Sequence, residues 1–180
     1  MPLPSVTVVN RLSSLLLPPT LWWGMSDFVI RAAQPSDAAA IVALLKELAA
    51  YEKLLDYFSL TQEQVVRDMF GATCYCELAF LGDEAVGIAA WFWTYKSFRA
   101  LKNLYVEDLY VKPAFRGQGL GRQFLGRLAR KALEVQGAME WRVLDWNVPA
   151  IDFYKSLGVR LVPEWVDCRL EGLALERLAT

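Results

Sequence analysis

The sequence contains no histidine, and this absence removes several common kinds of active site. A Ser-His-Asp triad, a Cys-His pair and a histidine-ligated metal site all need an imidazole. Acid and base chemistry in this chain must therefore use carboxylates, tyrosine, cysteine, lysine or water. Cysteine is scarce as well, with three residues, which is too few for a disulfide framework and favours a reducing cytoplasm.

Neither sign of charge is in excess, because 19 Lys and Arg residues face 20 Asp and Glu residues. General nucleic-acid binding depends on a clear basic excess, so no nucleic-acid partner is expected. No apolar run reaches the roughly 18 residues of a membrane span, and no membrane partner is expected. The 180 residues are 55% hydrophobic, which excludes a disordered chain and favours one ordinary domain.

Residues 1–24 differ from the rest of the chain, because prolines interrupt any helix or strand there. We expect Met25 to be the real start, so that 1–24 is a mis-assigned start or a loose tail outside a domain formed by 25–180. The alternative is an amphipathic tail that docks Trp22 and Trp23 on a partner.

The spacing of apolar residues predicts a mixed α/β domain. Segment 86–95 is apolar on both faces of a strand, so helices should cover the sheet. Amphipathic or capping patterns predict helices that begin near residues 37, 61, 120, 147 and 173. The predicted strands are 28–31, 74–80, 86–95, 104–111, 140–145 and one or two more within 160–170.

A glycine-rich loop between a buried strand and an amphipathic helix is the sharpest motif. Alternate glycines let backbone N–H groups approach a ligand closely, and the helix start adds the positive end of its dipole. Such a loop is an anion cradle suited to a pyrophosphate, and its two arginines can add charge-assisted hydrogen bonds. The alternative is a helix-entry turn that needs glycine for its geometry. The residues are Arg116, Gly117, Gln118, Gly119, Leu120, Gly121 and Arg122.

This loop, after a strand with internal acids, resembles motif A of the GNAT acetyltransferases, which bind acetyl-CoA. The segments 28–31, 46–49, 51–52, 105–111, 147–149 and 152–155 resemble the spermidine/spermine (diamine) acetyltransferase branch and its thialysine-acetylating relatives. The resemblance implies a GNAT fold, with a mixed, mostly antiparallel central sheet covered by helices on both faces. It also implies acetyl-CoA as co-substrate and a homodimer.

The resemblance assigns three segments to acetyl-CoA. The strand residues Leu109, Tyr110 and Val111 offer backbone groups to the acetyl-pantetheine. The loop from Gly117 to Arg122 takes the pyrophosphate, with Arg116 as a further cofactor-binding residue. A second helix start contributes Asn147, Val148, Pro149 and Ala150.

Tyr154 matches the general acid of the family. A tyrosine with a pKa near 10 is a sensible proton donor to a departing thiolate. The alternative role is a helix tyrosine packed on the sheet.

The acids Glu52, Glu107 and Asp108 are candidates for substrate binding, with Tyr51 beside them. An alkylamine has a pKa near 10.4, so it must lose a proton before it can attack. Acids inside an apolar strand are costly unless they are paired or wet, and the alternative role is an internal ion pair. Successive strand residues face opposite sides unless a bulge intervenes. The resemblance selects Glu107 as the group that leads the proton away.

Glu140, Trp141 and Arg142 match a further substrate-contacting stretch. The polyamine enzymes carry smaller or uncharged residues at the last two positions, and Arg142 would repel a polycation. This difference leaves room for an amine that carries a carboxylate. Cys74 and Cys76 share a strand face, but without histidine or a second cysteine pair no metal site is expected.

These features together predict an N-acetyltransferase that moves acetyl from acetyl-CoA to a primary amine of a small polyamine or thialysine-like substrate. The reaction would be direct attack in a ternary complex. The alternatives are a GNAT enzyme acting on a protein amino group, an aminoglycoside or a xenobiotic amine, and a non-catalytic acyl-CoA-binding protein.

Overall fold

A computed structural model describes residues 28–71 and 73–180, so the expectations for 1–24 lie outside the described residues. The fold is a five-stranded sheet with helices on both faces. The strands are β1 (Val29–Ala32), β2 (Tyr75–Leu81), β3 (Glu84–Lys96), β4 (Leu101–Val111) and β5 (Met139–Glu140). The helices are α1 (Ala38–Tyr51), α2 (Gln62–Asp68), α3 (Leu120–Glu134), α4 (Val148–Ser156) and α5 (Leu173–Leu178).

The sheet has the strand order β1-β2-β3-β4-β5. The first four strands pair in antiparallel fashion with their neighbours in the chain. A tight turn at Gly82, where φ is +58°, joins β2 to β3, and such short connections favour antiparallel pairing. The mostly antiparallel sheet expected from the sequence is confirmed.

The two faces of the sheet bury different helices. On one face, α1 and α2 pack Ile41, Leu44 and Val65 against strand residues such as Leu78. On the other face, a Cβ at Gly87 would lie 3.1 Å from Phe124 of α3. Because successive strand residues alternate between faces, both layers form around one sheet. The prediction of helices on both faces is confirmed.

The chain divides into two compact units, with the boundary between Met139 and Glu140. In the second unit the predicted terminal helix is confirmed as α5. The strand predicted over 140–145 is wrong beyond its first residue, and 160–170, all within the described part, form no strand. Residues 161–180 are exposed to solvent. An extended segment needs a neighbouring strand and packed side chains, and apolar residues alone do not supply them.

No helix within the described ranges is both long enough and apolar enough to cross a membrane.

Candidate active site

A cleft of about 250 Å³ opens beside the last turns of α1. Its walls come from α1, from the connector that follows it and from β4, and they are mostly apolar or aromatic. Two carboxyl groups interrupt this lining. The volume of the cleft is below the roughly 300–1,000 Å³ of drug-sized sites, so the cleft can hold a small ligand. The lining residues are Leu45, Leu48, Ala49, Glu52, Leu54, Tyr57, Phe58 and Asp108.

Asp108 is the more strongly perturbed of the two acids in the cleft. Burial, together with the charges of Glu107 and Glu52, raises the pKa of Asp108 from 3.8 to about 7. Burial also raises the pKa of Glu52. A cation that enters the cleft lowers the pKa of Asp108 again, because an opposite charge favours the ionised carboxylate. The cleft therefore favours an ammonium group over a neutral one.

Glu107 lies at a β-bulge in β4. Ala90 of β3 pairs with Asp108, but the next residue, Trp91, pairs with Val106, so Glu107 is the extra residue. A bulge breaks the alternation of side chains, and the rule that neighbouring residues face opposite sides does not apply here. Glu107 is exposed, yet its charge helps to raise the pKa of Asp108. The charges of Glu107 and of Glu52, at the end of α1, therefore both act on Asp108.

The glycine loop has the backbone geometry that an anion cradle needs. Gly117 and Gly119 adopt φ values of +75° and +79°, in the left-handed region that favours glycine. A Cβ at either position would meet nothing within 4 Å, so the space in front of the loop is open. Gly119 caps α3, whose first turn contains no acidic residue in this described segment. These features fit the pyrophosphate of acetyl-CoA. The Leu120 side chain is buried, which leaves only its backbone to face a ligand.

The carboxyl end of β4 presents backbone groups of alternate residues on the side away from β3. The Lys112 N–H donates to the Val86 carbonyl at 3.0 Å. Alternation along an antiparallel ladder then directs the N–H and C=O of Tyr110 toward β3, and those of Leu109 and Val111 away from it. Of the three strand residues expected to contact acetyl-CoA through their backbone, only Leu109 and Val111 therefore direct these groups away from β3.

The two arginines of the loop have different surroundings. The Arg116 Nε–H donates to the Val111 carbonyl at 2.9 Å. Its guanidinium lies 4.8 Å from the ring centre of Tyr51 and 5.6 Å from that of Tyr110. Arg122 lies exposed in the first turn of α3, where its charge adds to the positive end of the helix.

The second unit, 140–180, contains another helix start of the same kind. Asn147 is buried and caps α4, because its Oδ1 accepts the N–H of Ala150 at 3.4 Å. Val148 and Pro149 are exposed in the first turn, which in this described helix carries no acidic residue. Pro149 has no N–H, and the N–H groups of Val148 and Ala150 donate to Trp146 and Asn147. The helix dipole is therefore what can favour an anion at this helix start.

Tyr154 lies in the last turns of α4 and is buried. Its ring packs edge-to-face on Trp141, with 5.1 Å between ring centres, and lies 5.4 Å from the ring of Phe153. Two aromatic neighbours restrict the rotamers of the tyrosine, and such pairs stabilise by about 0.5–1.5 kcal/mol. Trp141, expected to contact substrate, thus also packs on the candidate general acid.

Arg142 forms an ion pair with Asp167, with 3.0 Å between Nε and Oδ2. Both side chains are exposed, and the pair reduces the positive charge that this position presents to a cation. Glu140, the first residue of the same stretch, is half-buried at the end of β5.

Sequence reasoning missed most of the cleft wall. Leu54, Tyr57 and Phe58 line the cleft from the connector between α1 and α2. The available signal was an apolar and aromatic run in a connector, where polar residues are the rule. Cys74 lies near the acids, and burial with the charge of Asp108 raises the pKa of its thiol. Within the described ranges, no group of three or more Cys, Asp or Glu side chains is arranged to hold a metal.

Comparison with known proteins gives matches to one family. The model of the "Acetyltransferase (GNAT) family" matches residues 40–159. The chain is similar to the thialysine N-epsilon-acetyltransferase of Sus scrofa, with 36% identity over 170 residues that cover 86% of this chain and 99% of that protein. It is also similar to the spermidine/spermine N(1)-acetyltransferase-like protein 1 of Homo sapiens. That match has 39% identity over 144 residues, 74% of this chain and 21% of that protein.

Among solved structures, an integron cassette protein from the mobile metagenome of V. cholerae has a TM-score of 0.72 and 24% identity, covering 87% of this chain and 99% of that one. This likeness shows a shared fold. The resemblance inferred from the glycine loop is confirmed, because the family match spans most of the chain and includes that loop. The chain belongs to the GNAT family of acetyltransferases and is an acyltransferase enzyme.

Proposed function

We propose that the protein transfers acetyl from acetyl-CoA to the primary amine of a small polyamine or thialysine-like substrate, by direct attack in a ternary complex. The observation that carries the proposal is the cleft in which Glu52 and Asp108 lie among apolar walls. Two half-buried acids in an otherwise apolar cleft are costly unless a cation joins them. An ammonium group on a short carbon chain supplies both the charge and the apolar stem.

The acids have separate proposed roles. Glu52 and Asp108 hold the ammonium, whose charge lowers the pKa of Asp108 and keeps the carboxylate ionised. Glu107, exposed at the bulge, takes the amine proton through water, since an amine of pKa near 10.4 must be deprotonated before attack. Tyr51, the last residue of α1 and the neighbour of Glu52 in the chain, is proposed to contact the substrate as well.

Acetyl-CoA supplies a thioester that the neutral amine attacks. Its binding residues are proposed from two helix starts and one strand end. The loop residues Gly117 to Arg122 present backbone N–H groups to its pyrophosphate. The start of α4, Asn147 to Ala150, contacts the cofactor through its helix dipole and its exposed side chains. Leu109 and Val111 present backbone groups at the carboxyl end of β4. One such N–H, aimed at the thioester oxygen, would stabilise the charge that develops there.

Tyr154 is proposed as the general acid that protonates the departing thiolate. Burial between aromatic rings holds its hydroxyl in one place. General acid catalysis by a positioned side chain is worth roughly 10²–10⁴ in rate.

The choice between a polyamine and an amino acid depends on Glu140, Trp141 and Arg142. The ion pair between Arg142 and Asp167 supports a role for polyamines as well, because it reduces repulsion of a polycation. The names of the two relatives, one for thialysine and one for spermidine and spermine, support both groups of substrate.

A homodimer in the cytoplasm is also proposed. The free thiols Cys74, Cys76 and Cys168 fit a reducing compartment. Contiguous apolar exposure marks interaction surfaces, and large apolar side chains are exposed throughout the carboxyl-terminal segment. These are Leu161, Val162, Trp165, Val166, Leu170, Leu173, Leu175 and Leu178. Sedimentation velocity tests the dimer, with Trp165→Ser expected to shift it toward monomer. A monomeric wild type at micromolar concentration would refute it.

The test of function is CoA release from acetyl-CoA with spermidine, spermine, putrescine, thialysine, lysine, a lysine peptide and an aminoglycoside, with Tyr154→Phe alongside. We expect turnover with a small amine and a large loss in the variant. Preference for the lysine peptide or the aminoglycoside would show that the substrate is not a small polyamine or thialysine-like amine. Acetyl-CoA binding without turnover of any amine would support a non-catalytic acyl-CoA-binding protein instead.

A further inference from the structure

Arg116, the first residue of the glycine loop, is engaged by its own chain. Its Nε–H donates to the Val111 carbonyl at 2.9 Å, at the end of β4. Its guanidinium lies over the ring of Tyr51, the last residue of α1, and over the ring of Tyr110. The exposed Arg116 side chain thus contacts both α1, which ends at the cleft, and β4, which ends at the glycine loop.

Tyr110 extends this group of contacts back to α1. Its hydroxyl donates to Glu47 Oε2 at 3.1 Å. Burial, with the hydrogen bond and charge of Glu47, raises the pKa of Tyr110, so the hydroxyl stays a protonated donor across the working pH range. Glu47, Tyr51, Tyr110 and Arg116, called here the Arg116 cluster, join α1, β4 and the glycine loop.

The Arg116 cluster lies between the amine cleft and the glycine loop, so it adjoins the proposed sites of both the amine and the cofactor. Tyr51 directly precedes Glu52, the acid that caps α1 and lines the cleft. Arg116 directly precedes Gly117, where the left-handed backbone of the loop begins. A movement at one end of the cluster therefore changes the packing at the other end.

We propose that Arg116 is a positioning residue, which couples the cofactor loop to the amine cleft by bridging Val111, Tyr51 and Tyr110. The amine half of this proposal rests on the proposed function, and the cofactor half does not. The proposal differs from the expectation that Arg116 binds phosphate directly, because the guanidinium acts through the loop backbone and the end of α1. Lysine cannot replace it, since a lysine has neither the planar group that stacks on rings nor the Nε–H.

The first test is a double-mutant cycle on CoA affinity, measured by isothermal titration calorimetry. Arg116→Lys keeps the positive charge. Tyr51→Leu removes an uncharged ring, which cannot itself form an ion pair with a phosphate. We expect each variant to bind CoA about two- to five-fold more weakly, the size of an exposed cation–π contact. The double variant should be no weaker than the weaker single variant.

The matched control is Tyr95→Leu, an exposed tyrosine at the end of β3, which should bind CoA as the wild type does. Unchanged CoA affinity in Tyr51→Leu, or effects that multiply in the double variant, would overturn the proposal. Because Tyr51 packs on the core, thermal unfolding checks that the variant is folded. If Tyr51→Leu is unfolded, the Arg116→Lys variant in the second test decides the role of Arg116.

The second test compares acetyl-CoA with S-acetylpantetheine, which lacks the pyrophosphate. A positioning role predicts that Arg116→Lys raises the KM for the amine with both acyl donors, because the contact of Arg116 with Tyr51 at the end of α1 is lost whether or not a pyrophosphate is present. An amine KM that is unchanged with S-acetylpantetheine would refute the coupling. If the wild type acetylates no amine, the proposed function fails, while the CoA cycle still decides the role of Arg116.

Discussion

The two units of the chain differ in what their apolar residues contact. In 28–139, side chains such as Ile41, Leu78 and Phe124 are fully buried between the sheet and its helices. In 161–180, Trp165 is 84% exposed and its apolar neighbours are exposed with it. In the first region, strand alternation and helix stripes support each other, and local preference agrees with packing. In the second, an apolar pattern without a packing surface produces turns and one short helix.

The chemistry divides along the same boundary. The first unit contains the acidic cleft, the glycine loop and the Arg116 cluster. The second contains the capped start of α4 and Tyr154 with its aromatic neighbours. Stability and activity should therefore respond differently to substitutions in the two regions, and the following predictions run from the largest expected effect to the smallest.

Asp108→Asn should stabilise the fold at high pH. The pKa of Asp108 is about 7 in the fold instead of 3.8, so the folded state binds this proton more tightly than the unfolded chain does. The free energy of unfolding therefore falls as pH rises from about 4 to about 7. Asp108→Asn removes this loss of stability at high pH. Its free energy of unfolding should exceed that of the wild type by roughly 2–4 kcal/mol at pH 8 and by little at pH 4. Urea denaturation at both pH values measures it.

The matched control is Asp83→Asn in the exposed turn between β2 and β3, which should show no such pH-dependent gain. An equal effect of Asp108→Asn at both pH values would contradict the account of the buried acid.

Two ion pairs of similar length should differ in their contribution to stability. Glu77 is buried with its side chain 3% exposed, and it pairs with Arg127 at 2.6 Å and Lys131 at 3.5 Å. Glu77→Gln leaves two cations without their counter-charge and should cost about 2 kcal/mol. Asp167→Asn breaks the exposed pair with Arg142 and should cost less than about 1 kcal/mol. Equal losses of unfolding free energy in Glu77→Gln and Asp167→Asn, measured by urea denaturation, would contradict the distinction between the buried and the exposed ion pair.

Gly119→Val should weaken CoA binding without unfolding the protein. The φ of +79° strains any residue with a Cβ, and the added side chain would occupy the open space before α3. We expect at least a roughly ten-fold loss of affinity. Gly126→Ala, inside α3 with nothing within 4 Å of the added methyl, is the matched control. It should keep its affinity and gain about 0.5–1 kcal/mol of stability.

Trp165→Ser should have the smallest effect on the monomer. At concentrations where the chain is monomeric, its free energy of unfolding should change by less than about 0.5 kcal/mol, because the side chain is exposed. A larger loss in thermal or urea unfolding would show that 161–180 pack within one chain, contrary to the comparison above.

Much of the first unit could be predicted because its signals are local. The apolar run of β3, the capping pattern before α2 and the stripe of α3 each need only a few neighbouring residues. The bulge at Glu107 could not be predicted, since it arises from the register between β3 and β4. The pairing of Arg142 with Asp167 depends on the path of the chain between them. The strands expected within 160–170 failed because an apolar pattern does not specify a partner.

The central proposal is that Asp108 holds the amine and Tyr154 protonates the departing thiolate. Steady-state kinetics of Asp108→Asn and Tyr154→Phe, at saturating acetyl-CoA with the best amine of the panel, tests it most directly. We expect Asp108→Asn to raise the KM for the amine about ten-fold or more. Tyr154→Phe should lower kcat by roughly 10²–10⁴ with the KM for the amine nearly unchanged. A normal kcat in Tyr154→Phe, or a normal amine KM in Asp108→Asn, would contradict the claim.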